Sequence, residues 1–292
     1  MSKVRILSIS EFDGNEKLVN FYCNDLREHL ETHSKNITAP HKHNFFLTVL
    51  FTKGSGTHEI DFEKYDVSPG SVFMLNPGQA HNWELSDDIE GIIFFHSQEF
   101  YEISFTEQSI YDFPFFYPVR NPSMLTLKEG ELSEVSNAFN LILKEYRNRD
   151  VWSIKKIVSL LNCIYIDISR VYLNPVNANL VKMDAYSAYL RELEQLIEEN
   201  FKQEKSPSAY ADLLNITIRH LNRLTQETLG KSTTQLITER VILEAKRLIV
   251  YDSTSLAKIS YELGYDDYAY FSRLFKKWTK LTPSEFSALY KR

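Results

Sequence analysis

The 292-residue sequence predicts a chain of mixed α and β class with more than one domain. An N-terminal β-barrel or jelly-roll is followed by an αα-hairpin and by an all-α domain of about seven helices. Three observations predict this. Short apolar or alternating runs broken by Gly/Pro turns fill the N-terminal third. Apolar residues then recur at steps of three and four as far as the C-terminus. Within that helical part, after the hairpin, Tyr172-Leu-Asn-Pro-Val-Asn-Ala-Asn179 has Pro, three Asn and little periodicity, a linker composition.

Composition narrows the class. With 43% apolar and 25% charged residues, disorder across the whole chain is excluded. Cys23 and Cys163 have no paired spacing, which excludes a disulfide scaffold and a cysteine zinc site. The run Met1-Ser-Lys-Val-Arg-Ile-Leu-Ser-Ile-Ser10 is too short in its apolar part for a signal peptide. No 18-residue apolar stretch exists, so no membrane span and a cytoplasmic location are expected.

In order along the chain, Asn44-Phe-Phe-Leu-Thr-Val-Leu-Phe51 reads as a strand, and Thr52-Lys-Gly-Ser-Gly56 as a hairpin break. Thr57-His-Glu-Ile-Asp-Phe62 alternates at period two. Pro69-Gly70 precedes the strand Ser71-Val-Phe-Met-Leu75, Asn76-Pro-Gly78 closes it, and Gly91-Ile-Ile-Phe-Phe-His96 is another strand. This third reads as all-β, and residues 113–130 as an irregular crossing segment. Two amphipathic stripes follow, one through Leu132, Val135, Phe139 and Tyr146, the other through Ile154, Ile157, Leu161, Ile164 and Ile168. Joined at Asn148-Arg-Asp150 they form the αα-hairpin. One stripe covers the β domain. The other is expected to face a partner subunit in a homodimer, through Phe139, Ile157, Leu161, Ile164 and Ile168. The expected domains are residues 1–130, the hairpin 131–172, the linker 173–182 and the helical domain 183–292.

The helical domain holds an internal repeat. Tyr210-Ala-Asp-Leu-Leu-Asn-Ile-Thr-Ile-Arg-His-Leu-Asn-Arg-Leu224 matches Ile259-Ser-Tyr-Glu-Leu-Gly-Tyr-Asp-Asp-Tyr-Ala-Tyr-Phe-Ser-Arg-Leu274. Each copy has a small residue, Ala211 or Ser260, four positions before one able to take positive φ, Asn215 or Gly264. A helix-turn-helix needs both, the first for close crossing and the second for the turn. Arg223 lies eight residues after Asn215 but Arg273 nine after Gly264, so the copies are not in strict register. A capped helix of about 20 residues, about 30 Å long, joins the copies, a spacer suited to successive major grooves. Charge does not make the case for DNA: residues 183–292 carry 16 Lys and Arg against 15 Asp and Glu. Placement has to.

The stretch Ala257-Lys-Ile-Ser-Tyr-Glu-Leu-Gly-Tyr-Asp-Asp-Tyr-Ala-Tyr-Phe-Ser-Arg-Leu-Phe-Lys-Lys-Trp-Thr-Lys-Leu-Thr-Pro-Ser-Glu-Phe286, with Glu244-Ala-Lys-Arg-Leu248, resembles the signature of AraC/XylS-type transcription regulators. The N-terminal part resembles that family's cupin-type sensing domain through His41-Lys-His43, Gly54-Ser-Gly56, Pro69-Gly70 and Asn76-Pro-Gly-Gln-Ala-His81. The resemblance implies a DNA-binding activator that binds operator DNA and a small-molecule effector, dimerises through the hairpin and works with RNA polymerase. It implies no catalytic residue and no cofactor. Carried over residue by residue, it places base and groove contacts at Arg219, Asn222 and Arg223, with His220 between them, and at Ala269, Tyr270 and Arg273. Tyr268 and Tyr270 offer hydroxyls, and Lys276 and Lys277 neutralise phosphates, as do Lys231 and Lys280. Ala269 departs from the longer polar residues often found there, which points to shape and backbone contact in the second unit.

In the β domain, His41 and His43 project to one face of a strand, and His81 follows a Pro-Gly turn. Three imidazoles suit Fe, Mn, Zn or Ni. Catalytic cupins also carry a Glu a few residues after the second His, where this chain has Asn44-Phe-Phe-Leu-Thr48. No metal is therefore expected, and an organic effector bounded by His41, His43, Phe45, Phe73, His81 and Trp83 is. Fourteen of the nineteen Phe lie before residue 120, an excess that favours an apolar-walled interior. Two other readings stay open: a cupin-type metal-binding enzyme or sensor with an appended helical domain, and a helical domain that binds proteins.

Overall fold

The computed structural model describes residues 5–12, 20–37, 39–102, 109–116, 123–172, 184–252 and 254–290. They fall into two compact units, one within residues 5–178 and one within 179–292. The expected linker, residues 173–182, lies outside the described residues.

The strands of the first unit are β1 (Ile6–Leu7), β2 (Phe21–Asp25), β3 (Lys42–His43), β4 (Phe46–Lys53), β5 (Gly56–Ile60), β6 (Glu63–Val67), β7 (Ser71–Leu75), β8 (His81–Leu85), β9 (Glu90–His96) and β10 (Met124–Thr126). Five make an antiparallel sheet in the order β10-β7-β4-β9-β2, and three another in the order β6-β5-β8. The short pair β1-β3 is parallel and is tied to β8 by the His41–His81 bridge. Phe73 of β7 meets His58 of β5 and Tyr65 of β6, at ring centroid distances of 4.6 and 6.0 Å, so side chains of the two larger sheets share one core.

The helices of this unit are α1 (Leu26–Ile37), α2 (Gln98–Glu102), α3 (Glu129–Asn148) and α4 (Ser153–Tyr172). The last two form the expected hairpin and cover the outer face of the five-stranded sheet. Strand β9 shows why its sequence is a continuous apolar run: both of its faces are buried. Phe95 packs inward on Phe45 at 4.5 Å, and Phe94 outward on Phe139 of α3 at 5.0 Å. A buried hydrogen-bond chain joins the same sheet to α4. His96 donates from Nδ1 to the Ser97 carbonyl (2.9 Å), which leaves Nε2 to accept from the Tyr165 hydroxyl (2.7 Å), and Thr48 donates to Tyr165 (3.2 Å).

Three expectations are corrected. The N-terminal third is not all-β. Helix α1 lies within it, and its inward face is Leu26, His29, Leu30, His33 and Ile37, where two histidines interrupt an apolar pattern at helical spacing. His29 is buried because the Tyr22 hydroxyl meets its Nδ1 at 2.9 Å and Phe12 and Phe95 pack on its ring. The segment expected to be irregular contributes β10, which pairs Met124, Leu125 and Thr126 with β7. Finally, Phe139, Ile157, Leu161, Ile164 and Ile168 are at most 1% exposed, all within the unit's own core. The hairpin has one apolar stripe per helix, and both are used at home. What α4 leaves outward is Ile154, Lys155, Lys156, Ser159, Cys163, Ile166, Asp167 and Arg170.

The second unit consists of α5 (Asp184–Asn200), α6 (Pro207–Leu213), α7 (Ile218–Leu229), α8 (Thr233–Tyr251), α9 (Leu256–Glu262), α10 (Tyr268–Thr279) and α11 (Pro283–Tyr290). Pro207 at the first position of α6, the Gly230 left-handed cap of α7 and the Ser232/Gln235 capping box of α8 set these ends. Helix α5 is bolted to α8 by Arg240, whose Nε and Nη2 donate to Glu198 at 2.5 and 2.7 Å while Nη1 reaches Glu244. The guanidinium also lies 4.0 Å over the Phe201 ring.

Candidate nucleic-acid interface and sensing core

The repeat becomes two helix-turn-helix units, α6–α7 and α9–α10. Ala211 and Ser260 are each 1% exposed at the crossing. Their carbonyls accept from Ile216 N and Tyr265 N, both at 3.0 Å, so the two turns close on the same bond. Asn215 and Gly264 hold φ of +54° and +76°. Gly264 is further constrained, because a Cβ there meets the Lys202 carbonyl oxygen at 2.1 Å.

The missing register is explained by the turns. After Gly264 the chain has one residue more before its N-cap, Asp267, than Asn215 has before Thr217. Beyond the caps the copies run in step at an offset of 50. Thr217 accepts from His220 N and Asp267 from Tyr270 N. Gly230 and Lys280 close the two helices in left-handed conformation, with φ of 64° and 68°. Ser232/Gln235 and Thr282/Glu285 then form equivalent capping boxes.

On α7, Arg219 and Arg223 are exposed; on α10, Ala269, Tyr270, Arg273, Lys276 and Lys277 are exposed. None of these cations makes an ion pair within 4 Å among the described residues. His220 is half-buried, its ring 6.2 Å from Tyr189, and Tyr268 is half-buried against Phe271. Asn222 is placed differently from the expectation. It is half-buried, and its Oδ1 accepts from Thr233 N at 3.4 Å, at the start of α8. Its helical position lies between the exposed and buried faces, and an amide on that edge bonds the neighbouring helix.

In the first unit, the expected effector residues come together in the β core. Ring centroids are 4.5 Å apart for His43–Phe45, 4.4 Å for His41–His81, 5.2 Å for His43–His81 and 5.4 Å for His81–Trp83. Phe73 joins them through His58, which lies 4.6 Å from it and 5.1 Å from Trp83. His58 is absent from the expected set. The signal for it was the period-two run containing it, since His58 shares the inward parity of Ile60. His41, His43, His58 and His81 are all buried. His41 and His43 donate from Nδ1 to the carbonyls of Ala39 (3.0 Å) and Phe45 (2.7 Å), and His58 Nε2 bonds His81 Nδ1 at 2.9 Å. His43 Nε2, His58 Nδ1, His81 Nε2 and Asn76 Oδ1 are buried without a partner. Burial, reinforced by neighbouring imidazoles, holds His43 and His58 at about 3 and His81 well below its ordinary value. The cluster is therefore neutral at pH 7. Among the described residues no group of three or more His, Cys, Asp or Glu is placed to hold a metal ion.

Two family models match this chain. One, described as an AraC-like ligand binding domain, covers residues 27–137, and the other, a helix-turn-helix domain, covers residues 210–288. The chain belongs to the AraC family of transcription regulators. It pairs an AraC-like ligand binding domain with a helix-turn-helix domain, which here holds both units. It is 21% identical over 248 residues to the HTH-type transcriptional activator RhaS of Enterobacter sp. (strain 638), covering 84% of this chain and 86% of the relative. A similar match joins it to RhaS of Salmonella schwarzengrund, 21% identical over 247 residues, with the same coverage of both chains. Among solved structures it is similar to ToxT from Vibrio cholerae O395, at 13% identity and a TM-score of 0.42 over 93% of this chain and 96% of that one. It is also similar to the C-terminal domain of AraT from Geobacillus stearothermophilus, at 27% identity and a TM-score of 0.35 over 36% of this chain and 88% of that one. No helix among the described residues is long and apolar enough to cross a membrane.

Proposed function

We propose that this AraC-family regulator is a cytoplasmic transcription activator that binds an operator through both helix-turn-helix units and responds to a small molecule held in the β core. Arg219, Arg223 and Arg273 contact base edges, Tyr270, Lys276 and Lys277 the backbone, and Asn222 braces α8 instead of reading a base. His41, His43, His58, His81, Phe45, Phe73 and Trp83 border the effector. The observation that carries the reading is the pair of units in step at an offset of 50, each presenting an arginine, Arg223 or Arg273, from the same exposed position. Helix α8, at 19 residues and about 28 Å, is the spacer, close to the ~34 Å recurrence of the major groove. The name activator on the RhaS relatives supports positive control with RNA polymerase as partner, and favours a regulator over an enzyme.

The working form is a homodimer that uses the outward residues Ile154, Cys163 and Ile166 of α4, the inner stripe being occupied. Residues 173–182 serve as linker between the sensing part, residues 1–172, and the DNA-binding part, residues 183–292. The test is a genome-fragment binding selection with the purified protein at two salt concentrations. A recovered motif of two short blocks about one helical turn apart is expected. Recovery of no motif, by the full chain and by residues 183–292 alone, overturns the reading.

A further inference from the structure

The two recognition helices are built on one frame but carry opposite charge gradients. At the N-terminal end, α7 presents Arg219, where α10 has Ala269 preceded by the exposed pair Asp266 and Asp267. At the C-terminal end, α7 presents Gln226 and Glu227, and Lys231 just beyond its cap is paired with Glu239 at 2.8 Å. There α10 has Lys276 and Lys277 and the exposed cap Lys280, which makes no ion pair among the described residues. Only the middle arginines, Arg223 and Arg273, are shared. Formal charge is +1 on α7 and +3 on α10.

The carboxylate at the N-cap of α10 is not free to read a base. Asp267 Oδ1 accepts from Ala269 N at 2.7 Å and Tyr270 N at 3.2 Å, so it closes its own helix. Asp266 beside it adds a second negative charge at the helix end that a groove-inserting helix presents first. A polyanion is repelled there and attracted about three turns further on, where three exposed lysines cluster. On α7 the order is reversed: the arginine leads and the glutamate trails.

We infer that the two units do different work on the same DNA. The first does most of the base reading, with Arg219 and Arg223 entering the groove N-terminus first, while the second offers one base-reading side chain, Arg273. The second holds the duplex by its phosphates, through Lys276, Lys277 and Lys280 at the C-terminal half of α10. Charge on the backbone is read as affinity and salt dependence, and bidentate contact at a base edge as sequence preference. This rests on the DNA-binding reading above and specifies which residues determine specificity within it.

The experiment uses the full chain and two duplexes, one carrying the selected motif and one scrambled, titrated across salt. The double variant Lys276→Gln/Lys277→Gln is expected to lower the slope of log K against log salt by about 1.8, weaken both duplexes by the same factor and leave base preferences unchanged. Arg219→Ala is expected to relax preference at one position of a single block by about five- to hundredfold. All three sites are exposed, and circular dichroism melts verify folding. A lysine variant that changes base preference or keeps the wild-type slope overturns the inference, as does an Arg219→Ala protein with unchanged preferences. A wild-type chain that does not distinguish motif from scrambled duplex overturns the DNA-binding reading and the inference together. Selective wild-type binding with the wrong variant pattern overturns the inference alone.

Discussion

Acid will unfold the first unit well before ordinary acid denaturation, because its histidines are folded in neutral. Burial holds His29, His43 and His58 at about 3 and His96 at about 4, against about 6.5 for an imidazole in an unfolded chain. The direction follows from proton counting. Between pH 6.5 and the folded values the unfolded chain binds a proton on each of these rings and the folded chain does not, so stability falls as pH falls. Going from pH 7 to pH 5, each ring held at about 3 forfeits about 2 kcal/mol, and three of them about 6 kcal/mol. Whole-domain stabilities are about 5–15 kcal/mol. The assay is urea unfolding at about pH 7 and pH 5, followed by Trp83 emission in a Trp152→Phe/Trp278→Phe background. A fall in midpoint of about 2–3 M is expected for an m-value near 2 kcal/mol/M. His58→Phe, which keeps a ring against Phe73 and Trp83, should shrink the pH-dependent loss by about 2 kcal/mol. An unchanged midpoint across that range refutes the view that these rings are buried and neutral.

Gly264→Ala should destabilise the second unit by several kcal/mol, since the new Cβ meets the Lys202 carbonyl at 2.1 Å, whereas Gly230→Ala, at φ +64° with nothing within 4 Å, should cost about 1 kcal/mol; paired thermal melts separate the two. Lys280→Gly relieves a left-handed non-glycine residue, so the melting temperature should rise, by the equivalent of about 1 kcal/mol. Its affinity for scrambled DNA should drop in the same preparation. Arg240→Ala removes both hydrogen bonds to the part-exposed Glu198 and leaves Glu244 paired with Arg247, and should cost about 1.5–3 kcal/mol by chemical denaturation. Tyr165→Phe leaves His96 Nε2 without its donor and should cost about 1–3 kcal/mol.

Most of the architecture was legible because apolar spacing reports local geometry. The hairpin, the seven C-terminal helices and their caps follow from residues such as Pro207, Gly230 and Ser232, whose conformational demands act within one turn. What spacing could not report was which surface an apolar stripe meets. Phe139 and Ile157 face the same way whether the neighbour is this chain's own sheet or another subunit; only the sheet's second apolar face, Phe94 among its residues, decides it. Helix α1 was hidden for a related reason. His29 and His33 occupy core-facing positions, and a histidine counts as polar until a partner such as the Tyr22 hydroxyl is known.

The interface shows a sharper division between local and tertiary information. The turn of each unit could be found from Asn215 and Gly264, yet counting from them put Arg223 and Arg273 out of step. The extra residue before Asp267 is absorbed ahead of the N-cap, so counting from caps restores the register that counting from turns breaks. Only in that register does Arg219 correspond to Ala269 and Glu227 to Lys277, and only then does the reversal of charge along the two helices emerge. A sum over residues 183–292 conceals it, because Asp266, Asp267 and Glu227 cancel the lysines and arginines they are spatially separated from. For a surface meant to meet a polyanion, where along each helix the charge sits decides more than how much of it there is.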